Sequence, residues 1–279
     1  MTTAADATFF NILKRKISKK TGLDCYKYKD NYLRRRIDIR MKESGVSSYR
    51  EYLRFLDEHP EEYVALLDKI TVNVTQFFRD VEAFQVFKNE VLPQLLSEKK
   101  RRGSKILRIW SAGCATGEEP YTIAIILHEM LGGELKSFLV SILATDIDEQ
   151  ALKVAVAGLY EGASLRNVER RIVKKHFEHE NGKYRIKDDI RRLVRFKKHD
   201  LISGEKFSHF DVIFCRNVMI YFSKELQGRL LMDFYEALND GGFLILGRTE
   251  TLVGAAKEKF ACVNARERIY QKIKACSSQ

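Results

Sequence analysis

Gly113, Gly117, Glu118 and Glu119 stand where a short apolar run gives way to a helical pattern, and their types restrict what that turn can hold. Residues 106–110 read as a buried strand, and residues 111–117 are too small and polar to extend it. Pro120, at the first helical position, starts an apolar helix that stops at Gly132 and Gly133. Strand, turn and helix in this order form the nucleotide cradle of Rossmann-like sheets, where a dinucleotide rests its pyrophosphate on the helix N-terminus. Two carboxylates at that end repel a phosphate, and the Gly113/Gly117 spacing is neither GxGxxG nor a P-loop. A nucleoside cofactor with cationic groups and no phosphate fits the turn, and S-adenosylmethionine is such a molecule.

Ligands of an open parallel sheet lie beyond the carboxyl ends of its strands, so the residues there are the next candidates. Apolar runs predict further strands at residues 137–145, 193–197, 210–215 and 242–247, with a final pair at 260–263 and 267–273. Asp146 ends the second strand, where an acid can take two ribose hydroxyls. Asp148 is better explained as the N-cap of a helix beginning at Glu149. After the third strand, Asp200 and Leu201 are placed to meet an adenine edge and face. After the fourth, Arg216 and Asn217 break an apolar run; a cation and an amide are costly to bury unpaired, so a ligand or a carboxylate partner is expected. Trp110, the only tryptophan, reads as a core residue.

The elements that must position these residues divide in two. From residue 7 to about 71 the pattern is helical throughout, with stripes such as Phe10/Leu13/Ile17, and Gly22, Gly45 and Pro60 punctuate four or five short helices. On the helix at residues 31–42, Leu33, Ile37 and Met41 form the apolar seam. Arg36 and Arg40, four apart, share another face, which Arg34 and Arg35 widen. TVNVTQFFRD, residues 71–80, then connects to a region where strands alternate with helices, which predicts a mainly parallel, doubly wound α/β sheet. Residues 159–192 interrupt it, and their Asn181-Gly182 pair marks a tight hairpin in a small antiparallel β-subdomain.

Composition limits the classes of function. A chain of 279 residues with 45% hydrophobic content can build a sizeable core. No apolar run approaches the roughly 20 residues of a membrane span, and the first ten residues lack a basic-then-apolar leader, so a cytoplasmic protein without membrane insertion is expected. Five scattered cysteines without a CxxC pair indicate neither disulfides nor zinc, and no histidine spacing is stronger than His176/His179, so no metal is expected. The net charge of +11 is uneven, since residues 1–54 hold 14 Lys/Arg against 6 Asp/Glu. A basic end suits an acidic partner: nucleic acid, a membrane surface or an anionic protein face.

TVNVTQFFRD, RIWSAGCATGEEPYTIA, ATDID, FKKHDL and DVIFCRNVMIYF, in this order, resemble the chemotaxis receptor glutamate methyltransferases of the CheR type. The resemblance covers essentially the whole chain, including YLRRRIDIRM and SYREYL. It implies an N-terminal helical receptor-recognition domain (residues 1–71), a linker (72–80) that contributes to the cofactor site, and a class I methyltransferase domain (81–279) carrying the β-subdomain. It also implies S-adenosylmethionine as cofactor, methylation of glutamates on the cytoplasmic helices of receptors, and recruitment to membrane receptor clusters. The implied cofactor positions are Asn73, Thr75, Arg79, Glu119, Asp146, Asp200, Leu201, Arg216 and Asn217; catalysis is implied for Arg79 and Tyr221. Arg34, Arg35, Arg36 and Arg40 are the expected substrate-docking cations.

Family members that tether to a receptor's C-terminal peptide have a longer glycine-containing loop in the β-subdomain than HENGK, so tethering is not expected here, and a monomer is. Two rival functions suit parts of the same sequence. A nucleic-acid methyltransferase suits the charge but lacks an Asn/Asp-Pro-Pro-Tyr/Phe motif after the fourth strand. A non-catalytic cofactor-sensing adaptor would be favoured by loss of Arg79 or Tyr221, and both are present.

Overall fold

The structure, a computed structural model, describes residues 4–273; Cys276 lies outside them. Cys25, Cys114 and Cys215 are buried free thiols and Cys262 is an exposed one. The chain divides into two units, one formed by the residues up to Asn73 together with Tyr221–Leu226, the other by Val74–Ile220 and the residues from Gln227 onward.

In the first unit the apolar stripes become four helices: α1 (Ala4–Thr21), α2 (Asp30–Glu43), α3 (Tyr49–Glu58) and α4 (Glu62–Thr71). Phe10, Leu13, Ile17, Leu33 and Ile37 are fully buried, so the spacings of three and four do mark the inner faces. Two residues beyond the end of α2, Gly45 adopts the left-handed φ of +72° that stops a helix, and Ser48 caps α3 by accepting a hydrogen bond from Glu51 N (3.2 Å).

Arg40 differs from its expected place on an open basic face. Its guanidinium donates to both oxygens of Glu62 on α4 (2.9 and 2.6 Å) and also pairs with Glu43. Tyr52 donates to the same Glu62 at 2.7 Å. Burial pushes the Glu62 carboxyl up, but the bonds from Arg40 and Tyr52 outweigh it and leave the group below its ordinary value. Arg40 therefore ties α2 to α4, a long-range pairing that helix periodicity cannot reveal.

The second unit begins with α5 (Val81–Val86), a π-helical turn (Phe87–Val91) and α6 (Leu92–Arg101). Then follow β1 (Ile106–Ala112), α7 (Glu118–Leu131), β2 (Leu139–Asp146), α8 (Glu149–Ala157) and β3 (Leu159–Tyr160). Next come α9 (Arg170–His176), β4 (Phe177–Glu180), β5 (Lys183–Ile186), α10 (Asp188–Arg191), β6 (Val194–Lys198) and β7 (Phe210–Cys215). The chain closes with α11 (Lys224–Ala237), β8 (Leu238–Leu246), α12 (Ala256–Lys259), β9 (Phe260–Asn264) and β10 (Ile269–Lys272).

The seven-stranded sheet has the order β6-β2-β1-β7-β8-β10-β9, parallel from β6 through β8 and antiparallel for the last two strands. After β1 the chain moves outward through β2 to β6, then returns to place β7 on the other side of β1. That reversal makes the carboxyl ends of β1 and β7 the topological switch point at which open α/β sheets bind ligands. β3, β5 and β4 form the small antiparallel sheet. Asn181 and Gly182 both take positive φ (+49° and +80°), as a two-residue type I′ hairpin requires.

Three details depart from the sequence reading. Pro120 is the third residue of α7, where its missing N–H still falls among the four that a helix start leaves unpaired. β8 starts at Leu238 rather than Gly242, and β3 is too short to show a periodicity. Trp110 has the expected core role: its indole N–H donates to Thr145 Oγ1 (2.9 Å), and Phe207, Phe210 and Phe234 surround the ring.

Candidate active site

The turn after β1 is shaped by backbone that few residues can adopt. Gly113 and Gly117 have φ of +81° and +94°, and Ala115 joins them at +46°. A Cβ on Gly113 would lie 2.4 Å from a Val218 methyl, and one on Gly117 would lie 2.8 Å from the Ala155 Cβ. The turn is fastened to the end of β2: Gly113 N and Cys114 N donate to Thr145 O (2.8 and 2.9 Å), and Ala115 N donates to Asp146 Oδ2 (2.8 Å).

Asp146 is the last residue of β2. Its other oxygen accepts from Asp148 N at 2.9 Å, and an ionised carboxylate has about four lone-pair sites, so acceptor capacity is left for a hydroxyl. Burial pushes this carboxyl above its ordinary value, opposed by those N–H groups. Asp148 is the N-cap of α8, accepting from Gln150 N (2.8 Å) and Ala151 N (3.1 Å).

Both acids at the head of α7 are raised by burial. Their partners separate their roles. Glu118 accepts from the Thr116 hydroxyl at 2.6 Å within the turn, whereas Glu119 is shared between the Ser111 hydroxyl of β1 (2.8 Å) and the Arg216 guanidinium beyond β7 (3.3 Å). The Arg216 side chain is only 2% exposed. Its guanidinium also donates to Asp80 Oδ2 (2.7 Å) and Arg79 O (3.0 Å), and it lies 5.0 Å over the Phe84 ring. The partner expected for this buried cation is thus a pair of carboxylates.

The connector reaches this cluster because one residue anchors it. Phe77 is fully buried edge-on against Tyr160 and Phe177, and its N–H donates to Ser164 O (3.0 Å). Phe78 N donates to Thr122 Oγ1 (3.1 Å) on α7, and Arg79 folds back to donate to Val74 O (2.8 Å), enclosing the half-buried Thr75. Phe78 and Asp80 sit at φ +53° and +56°, and Asn217 at +61°. Left-handed non-glycine residues cost about 1–3 kcal/mol each and collect where function over-determines the backbone. Asp200 uses its oxygens on Ile202 N (2.9 Å) and the Ser203 hydroxyl (2.5 Å), which shapes the loop presenting Leu201.

Asn73, Tyr221 and the four arginines belong to the helical unit. Arg34 stacks on Phe10 (3.8 Å to the ring centre), Arg36 lies 5.2 Å over Tyr32, and Arg35 is exposed.

The CheR methyltransferase SAM-binding domain matches residues 73–269, and the CheR methyltransferase all-alpha domain matches residues 9–71. The chain belongs to the CheR methyltransferase family. It is 35% identical over 239 residues to the chemotaxis protein methyltransferase of Borreliella burgdorferi, covering 84% of each chain. It is 38% identical over 219 residues to chemotaxis protein methyltransferase 1 of Vibrio cholerae, covering 76% of each. With the chemotaxis protein methyltransferase of Listeria innocua it shares 32% over 253 residues, covering 90% of this chain and 92% of that one. It is an S-adenosylmethionine-dependent methyltransferase of chemotaxis. The glycine turn and the acids at the ends of β1 and β2 suit a cofactor whose sulfonium and amine are cationic, and suit a phosphate poorly.

The CheR-family site also holds residues that motif reading passes over. Glu250, buried beyond β8, accepts from backbone N–H groups that include Asn217 (2.9 Å), Val218 (3.0 Å), Met219 (2.7 Å) and Gly247 (2.8 Å). It fixes the loop that carries Asn217. The strand-end rule applied to the fifth strand would have found it; its backbone donors are invisible in sequence. Asp80 likewise stands in the sequence as no more than the last residue of the connector.

His176 pairs with groups other than His179. Ring nitrogens of His128 and His176 and an oxygen of Glu129 lie within 4.8 Å of one another, but Arg171 and Lys175, each at 2.7 Å, already neutralise that carboxylate. His179 instead meets the Tyr184 ring. Among the described residues, no helix is long and apolar enough to cross a membrane.

Proposed function

We propose that this methyltransferase esterifies glutamate side chains on the cytoplasmic helices of chemotaxis receptors, where it is recruited to receptor clusters. The observation that carries the reading is Glu119, held between Ser111 and Arg216 at the head of α7, which makes that helix start acidic and suits a sulfonium cofactor. Residues 1–71 serve as the receptor-recognition domain, residues 72–80 as a linker contributing Asn73, Thr75 and Arg79 to the cofactor site, and residues 81–279 as the methyltransferase domain with the subdomain at 159–192.

Asp146 takes the ribose hydroxyls; Asp200 and Leu201 border the adenine; Asn217 contacts the cofactor directly, and Arg216 acts through Glu119. S-adenosylmethionine supplies an electrophilic methyl on a sulfonium. A glutamate with a pKa near 4.3 is already ionised at neutral pH, so the protein needs to supply no base. A carboxylate oxygen forms its bond to the methyl carbon as the carbon–sulfur bond breaks, giving a methyl ester and a neutral thioether. Opposite charges disappear together, which a partly desolvated site favours. Holding nucleophile, carbon and sulfur in line is worth roughly 7–11 kcal/mol, and Arg79 and Tyr221 do this by guiding the carboxylate and orienting the reactants.

Arg34, Arg35 and Arg36 present the docking cations to acidic receptor helices, Arg35 the most openly, while Arg40 braces their helix through Glu62. The enzyme acts as a monomer on protein rather than nucleic acid, without tethering through the closed Asn181-Gly182 hairpin. Incubation with methyl-labelled cofactor and receptor fragments, followed by alkali, is expected to release labelled methanol; label that survives alkali on the polypeptide would overturn the ester assignment.

Single-turnover rate is expected to be flat above about pH 6, once the substrate glutamate is ionised. His199, in FKKHDL, does not disturb this. It is buried beside Trp110 and Phe207, and burial lowers its pKa below the ordinary histidine value, which moves its titration away from the pH 7–8 range rather than into it. A steep rise between pH 7 and 8 in the chemical step would point to a hydroxyl or amine substrate.

A further inference from the structure

Tyr221 is fixed within the helical unit by both its backbone and its ring. Lys29 N donates to Tyr221 O (2.9 Å), Ser223 N donates to Lys27 O (3.0 Å), and Tyr28 and Phe222 form an antiparallel bridge between them. A short strip of chain is thereby laid along residues 27–29. The Tyr221 ring then meets Tyr32 of α2, with centroids 4.5 Å apart and planes inclined by 33°.

Tyr32 is itself held on three sides. Its hydroxyl donates to Ile70 O (2.5 Å), one of the carbonyls that the end of α4 leaves without a helical donor. Burial raises that phenol to about 12, so it remains a donor at any physiological pH. The Arg36 guanidinium lies 5.2 Å from the Tyr32 ring centre, and Tyr28 stacks at 6.4 Å. A ring tied to α4 at its hydroxyl and bounded by Arg36 and Tyr28 cannot swing away from Tyr221.

We propose that Tyr32 is a positioning residue for Tyr221, through which the helical unit sets the orientation of the catalytic ring. The proposal rests on the catalytic reading of Tyr221 given above. Tyr32 contacts no reacting atom; it removes rotamers of Tyr221 that would carry the hydroxyl away from the reactants. Aromatic pairs are worth enough to make a ring's orientation change by about tenfold in population.

The test measures kcat on a receptor fragment and cofactor binding by calorimetry, using the full chain. Tyr32→Leu is expected to lower kcat about tenfold while leaving cofactor affinity within about twofold, and Tyr32→Phe, which keeps the ring, to retain most of the activity. In a Tyr221→Ala background, Tyr32→Leu should lower kcat no further. With 3-fluorotyrosine at position 221, the fluorine resonance should lose its ring-current shift in Tyr32→Leu; should that variant fail to fold, Tyr32→Met carries the same readings. An unchanged kcat or resonance in the leucine variant, or an equal loss of kcat in the Tyr221→Ala background, overturns the proposal. Wild-type kcat in Tyr221→Ala alone would instead remove the catalytic reading of Tyr221.

Discussion

Arg216→Met is expected to lower the unfolding free energy by about 3–5 kcal/mol, the usual cost of removing one partner from a buried ion pair. The guanidinium is 2% exposed and bonds Glu119, while it also holds Asp80 and the Arg79 carbonyl. Without it, a carboxylate already raised by burial loses its bonded cation and keeps only the Ser111 hydroxyl and the unbonded charge of Arg79. Urea unfolding followed by circular dichroism measures the change, and Glu119→Gln in the same chain should recover part of the loss because the two sites share one interaction. Arg216→Lys should recover little, since a single ammonium cannot reach two acids and a carbonyl with the planar fork of an arginine. A loss below about 1 kcal/mol would mean that Glu119 and Asp80 find other partners.

Asp146→Ala should weaken cofactor binding roughly 100-fold, as expected for the loss of two hydrogen bonds to a charged acceptor. The variant also leaves Ala115 N of the glycine turn without its Asp146 acceptor, so the cradle loses a fastening to β2 along with the proposed ribose acceptor. Asp148→Ala is the matched control two residues away. It removes an N-cap and should cost about 1 kcal/mol of stability, with cofactor affinity within about threefold of wild type. Calorimetric titration with S-adenosylhomocysteine separates the two, and equal affinities in both variants would remove Asp146 from the cofactor site.

The contrast between those two aspartates shows what the sequence makes legible. Asp148 precedes a helical pattern and Asp146 follows a strand pattern, so local periodicity alone distinguishes a helix cap from an acid at a strand end. The same local logic marks Gly113, Gly117 and the buried faces of α1 and α2. It cannot give the partner of a charge. Arg216 meets Asp80 across 136 positions, and Arg40 meets Glu62 across 22. Glu250 stands outside every motif, although one of its oxygens bonds both Val218 N and Met219 N. Tyr32 looks like one more aromatic at the edge of a basic helix. Its role depends on a strip of chain from far along the sequence, which no window over residues 31–42 contains.

That strip has a consequence for synthesis. The helical unit takes in Tyr221–Leu226, so its last piece is translated about 150 residues after Asn73. At roughly 5–20 residues per second the delay is about 8–30 s. Throughout that interval the edge at residues 27–29 and the Tyr28 and Tyr32 rings lack the segment that pairs with them in the finished chain. The nascent N-terminal helices therefore wait with an open backbone edge, a window in which chaperones or a neighbouring nascent chain can compete for it.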